Sequence, residues 1–200
     1  MQVIEVELAG ARLAVRPATP EQAAFWQGLA AGWEAETLAF VARHARPGAA
    51  FVDVGAWIGP ISLLAARRGA RVLALEPDPA ARAALEENLA LNGLRAEVLP
   101  AALHADGGGL VLYGGRRGLG ASTTSALGVH RGDPVQVPPV TPEEVADRAG
   151  AGALPTALKI DVEGHEYALG PALARLRALL GEAPTHLSVH PRQLAKALRR

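Results

Sequence analysis

Short apolar runs separated by glycine turns open the chain. Val3, Ile4, Val6 and Leu8 lead to Gly10 and then to Leu13 and Val15, a partial period-two alternation that predicts a β-hairpin. Thr19-Pro20-Glu21 is a helix start, and two amphipathic helices are expected after it. Trp33, Thr37, Phe40, Val41 and His44 fall at helical spacing on one face. From Arg46-Pro47-Gly48 onward the pattern becomes strand, glycine turn, helix. Ala50 to Val54 reads as a strand buried on both faces of a parallel sheet, and Gly55 to Gly59 as its turn. Pro60 suits the first turn of a helix reaching Arg68. Arg71 to Leu75 is a second strand. Asp78 caps a helix with Pro79 at its first position, Leu85 and Leu89 on its buried face and Asn92-Gly93 at its stop. Glu97 to Leu99 starts a third strand. This β-α-β-α-β order with short connections predicts an α/β fold with right-handed crossovers.

The middle of the chain is less regular. Leu110 to Tyr113 and Val135 to Val140 read as strands that pair with each other, and the glycine-rich stretch 114–134 between them is too long for a plain connector. Thr141-Pro-Glu-Glu144 is a capping box for a helix through Ala149. Ala157 to Ile160 is a further strand. A helical stretch follows with Leu169, Leu173, Leu176 and Leu180, which Gly170-Pro171 should kink or restart. A last strand is expected at Leu187 to Val189, and Pro191 begins a helix. Residues 1–45 therefore read as an N-terminal hairpin and helical cap, and residues 46–200 as the main domain.

Composition narrows the function. A chain of 200 residues buries enough surface to need no staple, and having no cysteine it excludes disulfides, thiolate metal sites and a cysteine nucleophile. Twenty basic residues balance twenty acidic ones, which argues against nucleic acid as the main partner. The first twenty residues carry no signal-peptide core, and the apolar stretch 47–66 fails as a membrane span because it contains Asp53 and Pro60. A cytoplasmic protein with no membrane partner is expected. Six of the eight aromatic residues lie between Phe25 and Trp57, where they dock the helices or also wall a ligand.

The first turn has a preference among ligands. Open parallel sheets bind ligands at the carboxyl ends of their strands. Here Asp53, Gly55 and Gly59 follow D-x-G-x-x-x-G, and Glu76 closes the next strand. Glu76 can accept hydrogen bonds from two ribose hydroxyls and would repel a 2′-phosphate. A dinucleotide turn would read G-x-G-x-x-G, yet bulky Trp57 and Ile58 stand between the glycines here. Asp53 suits an ammonium group better than a pyrophosphate, so S-adenosylmethionine is the favoured cofactor. A second constellation, Lys159-Ile-Asp161-Val-Glu163-Gly164-His165-Glu166, closes the fourth strand and suits acid–base work or substrate anchoring. In the alternative, Asp161 and Glu163 only cap the following helix.

Taken together, FVDVGAWIGP (51–60), ALEPDP (74–79), NLALNG (88–93), LKIDVEGHE (158–166) and LSVHP (187–191) resemble the FkbM family of S-adenosylmethionine-dependent methyltransferases. GWEAETL (32–38) resembles the segment that family carries before its first strand. The resemblance implies a class I methyltransferase fold, a Rossmann-like three-layer α-β-α sandwich, and methyl transfer to oxygen or less often nitrogen on sugars or secondary metabolites. It implies cofactor contacts from Glu34, Thr37, Asp53, Gly55, Ala56, Trp57, Gly59, Glu76, Pro77, Leu103, Asp106 and Asp161. Asp161 and His165 are the candidate catalytic bases. Ser122, Thr123, Glu163, Glu166 and His190 are the candidate acceptor contacts.

In that fold the sheet continues into a final antiparallel pair, whereas only about ten residues follow His190. The pair is expected to be missing, leaving the strand near Leu187 as an edge that a homodimer partner or the N-terminal hairpin would cover. Asp161, Glu163 and His190 are metal-ligand types, but their spacing fits no recognised ligand motif and no metal is expected. Three rivals remain: a cofactor-binding scaffold or inactive truncated methyltransferase domain, an NAD-dependent oxidoreductase that lacks its usual pyrophosphate turn, and a nucleic-acid methyltransferase, against which neutral charge and 4% aromatic residues speak.

Overall fold

The computed structural model describes residues 1–105, 110–113, 120, 134–192 and 195. The expected hairpin forms: β1 (Ile4–Leu8) and β2 (Ala11–Val15) pair antiparallel. Its two-residue turn, Ala9-Gly10, has positive φ at both positions, the geometry whose twist matches the strands. Thr19 accepts a hydrogen bond from the Gln22 amide and caps α1 (Pro20–Ala30). Helix α2 (Ala35–His44) starts later than the aromatic spacing predicts. Glu34 takes a left-handed φ of 56°, so Trp33 stays outside the helix and exposed, and Thr37, Leu38 and Val41 form the buried face.

Next come β3 (Ala50–Val54), α3 (Pro60–Arg67), β4 (Arg71–Leu75), α4 (Pro79–Leu91) and β5 (Glu97–Leu99). The predicted strand Val135 to Val140 is split at Pro138, which has no N–H to give a ladder. Its first part, β8 (Pro134–Val137), pairs antiparallel with β7 (Leu110–Tyr113); its second, β9 (Pro139–Val140), pairs parallel with β6 (Ala102–Leu103). Helix α5 (Pro142–Ala149) carries the full capping box between Thr141 and Glu144. Strand β10 (Thr156–Ile160) leads into a 3-10 turn (His165–Tyr167), and α6 (Gly170–Leu179) restarts at the glycine–proline pair. The last strand, β11 (Thr185–Leu187), lies two residues upstream of its predicted place. Its ladder begins with Leu158 N–H on the Pro184 carbonyl, leaving Leu187 and Val189 exposed.

The main sheet runs β11-β10-β3-β4-β5, all parallel, with helices on both faces. This is the Rossmann-like three-layer α-β-α sandwich that the resemblance implies. Alternation along the central strands divides the core. Phe51, Val72, Ala74 and Ala157 face the hairpin and α1 to α4, while Val52, Val54, Leu73, Leu75, Leu158 and Ile160 face α5 and α6. Asn92 bonds both backbone groups of Ala14, at 2.9 and 2.7 Å, and Asn88 accepts the Arg16 amide at 2.8 Å. The hairpin therefore sits over α3 and α4, not against β11 as expected for an unprotected edge. Beside β11 stands α2, where Thr37 Oγ1 lies 3.1 Å from His186 Nε2. Among the described residues, no helix is long and apolar enough to cross a membrane.

Candidate functional site

The carboxyl ends of β3, β4 and β10 open onto one cavity of about 270 Å³. Its floor depends on Gly55. With φ of 81°, a Cβ there would lie 1.9 Å from the Asp161 carbonyl oxygen, so the exits of β3 and β10 approach as only glycine allows. Gly59 serves packing instead. A Cβ there would lie 2.4 Å from Leu85, so it brings α3 onto α4 and does not line the cavity.

Glu76, at the end of β4, is 6% exposed and forms one wall. It accepts hydrogen bonds from the Trp57 amide (2.6 Å) and the Asp78 amide (2.8 Å). Burial pushes its pKa up to about 7, and the two amides offset only part of that. Trp57 is fixed in turn: its indole N–H donates to the Gly120 carbonyl (3.0 Å), and the Phe25 ring meets its edge at 4.7 Å. Phe25, Trp33 and Trp57 line the cavity, whereas Trp26, Phe40 and Phe51 pack in the core or against it. The aromatics thus divide between lining the cavity and packing the core. Ala56, Pro77 and Leu103 complete this side.

Asp53 departs from expectation. It is fully buried and does not line the cavity. Ser62 donates to its Oδ2 at 2.7 Å, and Lys159 Nζ lies 3.4 Å from its Oδ1. Lys159 itself lines the cavity, donates to the Gly55 carbonyl (3.2 Å) and stands 3.8 Å from Asp161 Oδ2. Burial alone would push this lysine down, but Asp53 and Asp161 outweigh it and hold its pKa above the ordinary value. The role of Lys159 was readable in principle. Lys159 and Asp53 are register partners on adjacent strands, and opposite charges inside two buried apolar strands must meet.

The opposite wall follows β10. Asp161, Glu163, His165 and His190 line it, and Glu34 reaches the cavity from the start of α2. His190 Nε2 lies 3.4 Å from Asp161 Oδ1 and 3.8 Å from Glu163 Oε1. His165 Nε2 is buried without a hydrogen bond among the described residues. Burial and the neighbouring His104 push the pKa of His165 below the ordinary value, so its imidazole is neutral near pH 7. Glu166 is a support and not a wall. Its Oε2 accepts the Gly164 amide (2.8 Å) and its Oε1 the His190 amide (2.5 Å), which buries it beneath the loop. Thr37 is likewise turned away, its hydroxyl spent on His186. Asp106, Ser122 and Thr123 lie outside the described residues.

Among the described residues, five non-glycine side chains sit on backbone with positive φ, and three of them, Glu34, Trp57 and Glu163, line this cavity. Left-handed backbone at such residues costs on the order of 1 kcal/mol each and gathers at functional sites. Asp161, a neutral imidazole and a half-buried carboxylate facing an aromatic wall can bind a cationic, sugar-bearing ligand beside a hydroxylated one.

No curated protein matches the chain. Solved structures resemble it in part. A T. thermophilus 16S rRNA methyltransferase in complex with AdoMet and guanosine is 22% identical over 50% of this chain and 27% of its own, with a TM-score of 0.37. A precorrin 8W decarboxylase from Methanobacterium thermoautotrophicum is 16% identical over 83% and 68%, with a TM-score of 0.47. A SAM-dependent methyltransferase from Agrobacterium tumefaciens is 21% identical over 51% and 33%, with a TM-score of 0.33. The chain thus spans between about a quarter and two thirds of the length of these structures. The methyltransferase FkbM domain matches residues 53–174, more than half of the chain and every cavity-lining residue except Phe25, Trp33, Glu34 and His190. The protein belongs to the FkbM family of S-adenosylmethionine-dependent methyltransferases.

Proposed function

We propose that this methyltransferase acts on a hydroxyl oxygen of a small acceptor of the sugar or secondary-metabolite type. The observation that carries the reading is the division of one cavity into a Glu76 wall and an Asp161–His165 wall. Glu76 suits the ribose diol, because its carboxylate is already oriented by two amides and keeps further lone pairs for hydroxyl donors. Trp57, Pro77 and Leu103 give the adenine an apolar slot, and Glu34 with Asp161 provides negative charge for the ammonium group.

When bound, S-adenosylmethionine supplies a methyl on a cationic sulfur; that carbon–sulfur bond breaks as the carbon–oxygen bond forms, and its electron pair stays on sulfur. The chain has then to align the acceptor and take its proton. His165 suits the proton, since the residue lines the cavity and its Nε2 has no competing hydrogen bond among the described residues. Glu163 and His190 suit the acceptor's other hydroxyls. An acid- and imidazole-lined wall favours a polyhydroxylated small molecule over a polyanion such as RNA.

Calorimetry with S-adenosylhomocysteine, followed by mass spectrometry of a panel of hydroxylated acceptors, tests the reading. Binding together with a mass gain of one methylene on an alcohol is expected. Binding without product on any acceptor would leave a scaffold, and methylation of amines alone would move the reaction to nitrogen.

A further inference from the structure

We infer that Asp161, Glu163 and His190 form a divalent-cation site in the wall of the cavity. The three come from two segments, Asp161 and Glu163 at the exit of β10 and His190 after β11, which the parallel pairing of those strands brings together. One imidazole nitrogen and two carboxylate oxygens converge, with Nε2 of His190 at 3.4 Å from Asp161 Oδ1 and 3.8 Å from Glu163 Oε1. A cation about 2.1 Å from each donor gives donor separations from about 3.0 Å at right angles to about 4.2 Å in trans, and both distances fall in that range.

The tautomer of His190 points the same way. Its Nδ1 lies 3.3 Å from Glu166 Oε1, and that carboxylate already accepts two backbone amides. A carboxylate only accepts, so Nδ1 is the donor in that contact and Nε2 is the nitrogen that faces the two other carboxylates. Asp161 Oδ1 is buried and takes no hydrogen bond among the described residues, and Glu163 is held in place by left-handed backbone at φ 49°. A carboxylate that fixes the far nitrogen of a ligating histidine is the usual outer support of a metal site. One nitrogen and two oxygens suit manganese, magnesium or zinc, and three protein donors leave positions open toward the cavity. There the ion would hold the acceptor's hydroxyl oxygen; this use of the ion, though not its binding, rests on the function proposed above.

The test is titration of Mn²⁺ into the chelator-treated full chain, read by the electron paramagnetic resonance of the free ion. One bound equivalent is expected, with at least tenfold weaker binding in Glu163→Gln and His190→Ala and about tenfold weaker binding in Glu166→Gln. In the unaltered chain, the bound ion should show electron-spin-echo modulation from a directly bonded imidazole nitrogen, a readout that requires no variant to fold. Absence of saturable binding, or a bound ion without nitrogen modulation, overturns the site and leaves His190 as an imidazolium paired with the two carboxylates. S-Adenosylhomocysteine heats on the same chelator-treated sample separate the two proposals. Cofactor heat without manganese binding sinks the cation site alone; manganese binding without cofactor heat sinks the function.

Discussion

The two ends of the cavity are built by different means. At the β4 end a single carboxylate, Glu76, is gripped by two backbone amides, one from the turn after β3 and one two residues along, and its position follows from the strand–turn–helix path itself. At the β10 end Asp161, Glu163 and Glu166 gather around His190, and Glu166 accepts the Gly164 and His190 amides from beneath. Lys159 lies between the two ends, tied to Asp53 below and near Asp161 above. The contrast teaches that the wall assigned to the cofactor is a property of the backbone, whereas the wall assigned to the acceptor can be rewritten one side chain at a time.

Breaking the link between the two ends should cost most. Lys159→Met leaves the buried Asp53 carboxyl without its cationic partner, and denaturant titration should show a loss of about 3–5 kcal/mol. The double variant Asp53→Asn/Lys159→Met should recover most of it. Next in size, Glu76→Ala should weaken S-adenosylhomocysteine by about 30-fold, near 2 kcal/mol, in calorimetry. Unchanged affinity would dissolve the distinction between the two walls.

Glu76 also predicts a pH dependence. Its pKa in the free protein is about 7, and hydroxyl donors favour the anion, so binding releases a proton wherever the free group holds one. Affinity is therefore full above pH 7 and falls as pH drops through that value, by about tenfold between pH 8 and pH 6. In Glu76→Ala this slope should vanish. The smallest effect sharpens the other end: Glu166→Gln loses one amide acceptor, costs about 1 kcal/mol of stability, and leaves S-adenosylhomocysteine affinity within twofold.

Much of the fold was legible because local chemistry and tertiary context agree in it. Thr19, Asp78 and Thr141 cap the helices their types suggest, and the apolar strands β3, β4 and β10 fall within a residue of their expected limits. Trp33 misled because helical spacing cannot show that Glu34 is left-handed. β11 slipped two residues because its ladder, and not its hydropathy, sets its start. In the site, motif position brought Glu76, Trp57 and Asp161 to the cavity, since each closes or follows a strand. It could not tell which side of a strand faces the ligand. Asp53 therefore went inside with Lys159, and Thr37 and Glu166 went to structural bonds. The meeting of His190 with Asp161 depends on strand order, which spacing along the chain does not encode.

The asparagine clamp on the hairpin has a consequence for biosynthesis. Ala14 waits for Asn92, 78 positions later, and at roughly 5–20 residues per second a ribosome needs roughly 4–15 s to deliver it. Until then the hairpin has α1 and α3 to pack against but lacks the asparagine clamp and the cover of α4. The dock of the hairpin is thus completed only when the second crossover helix emerges.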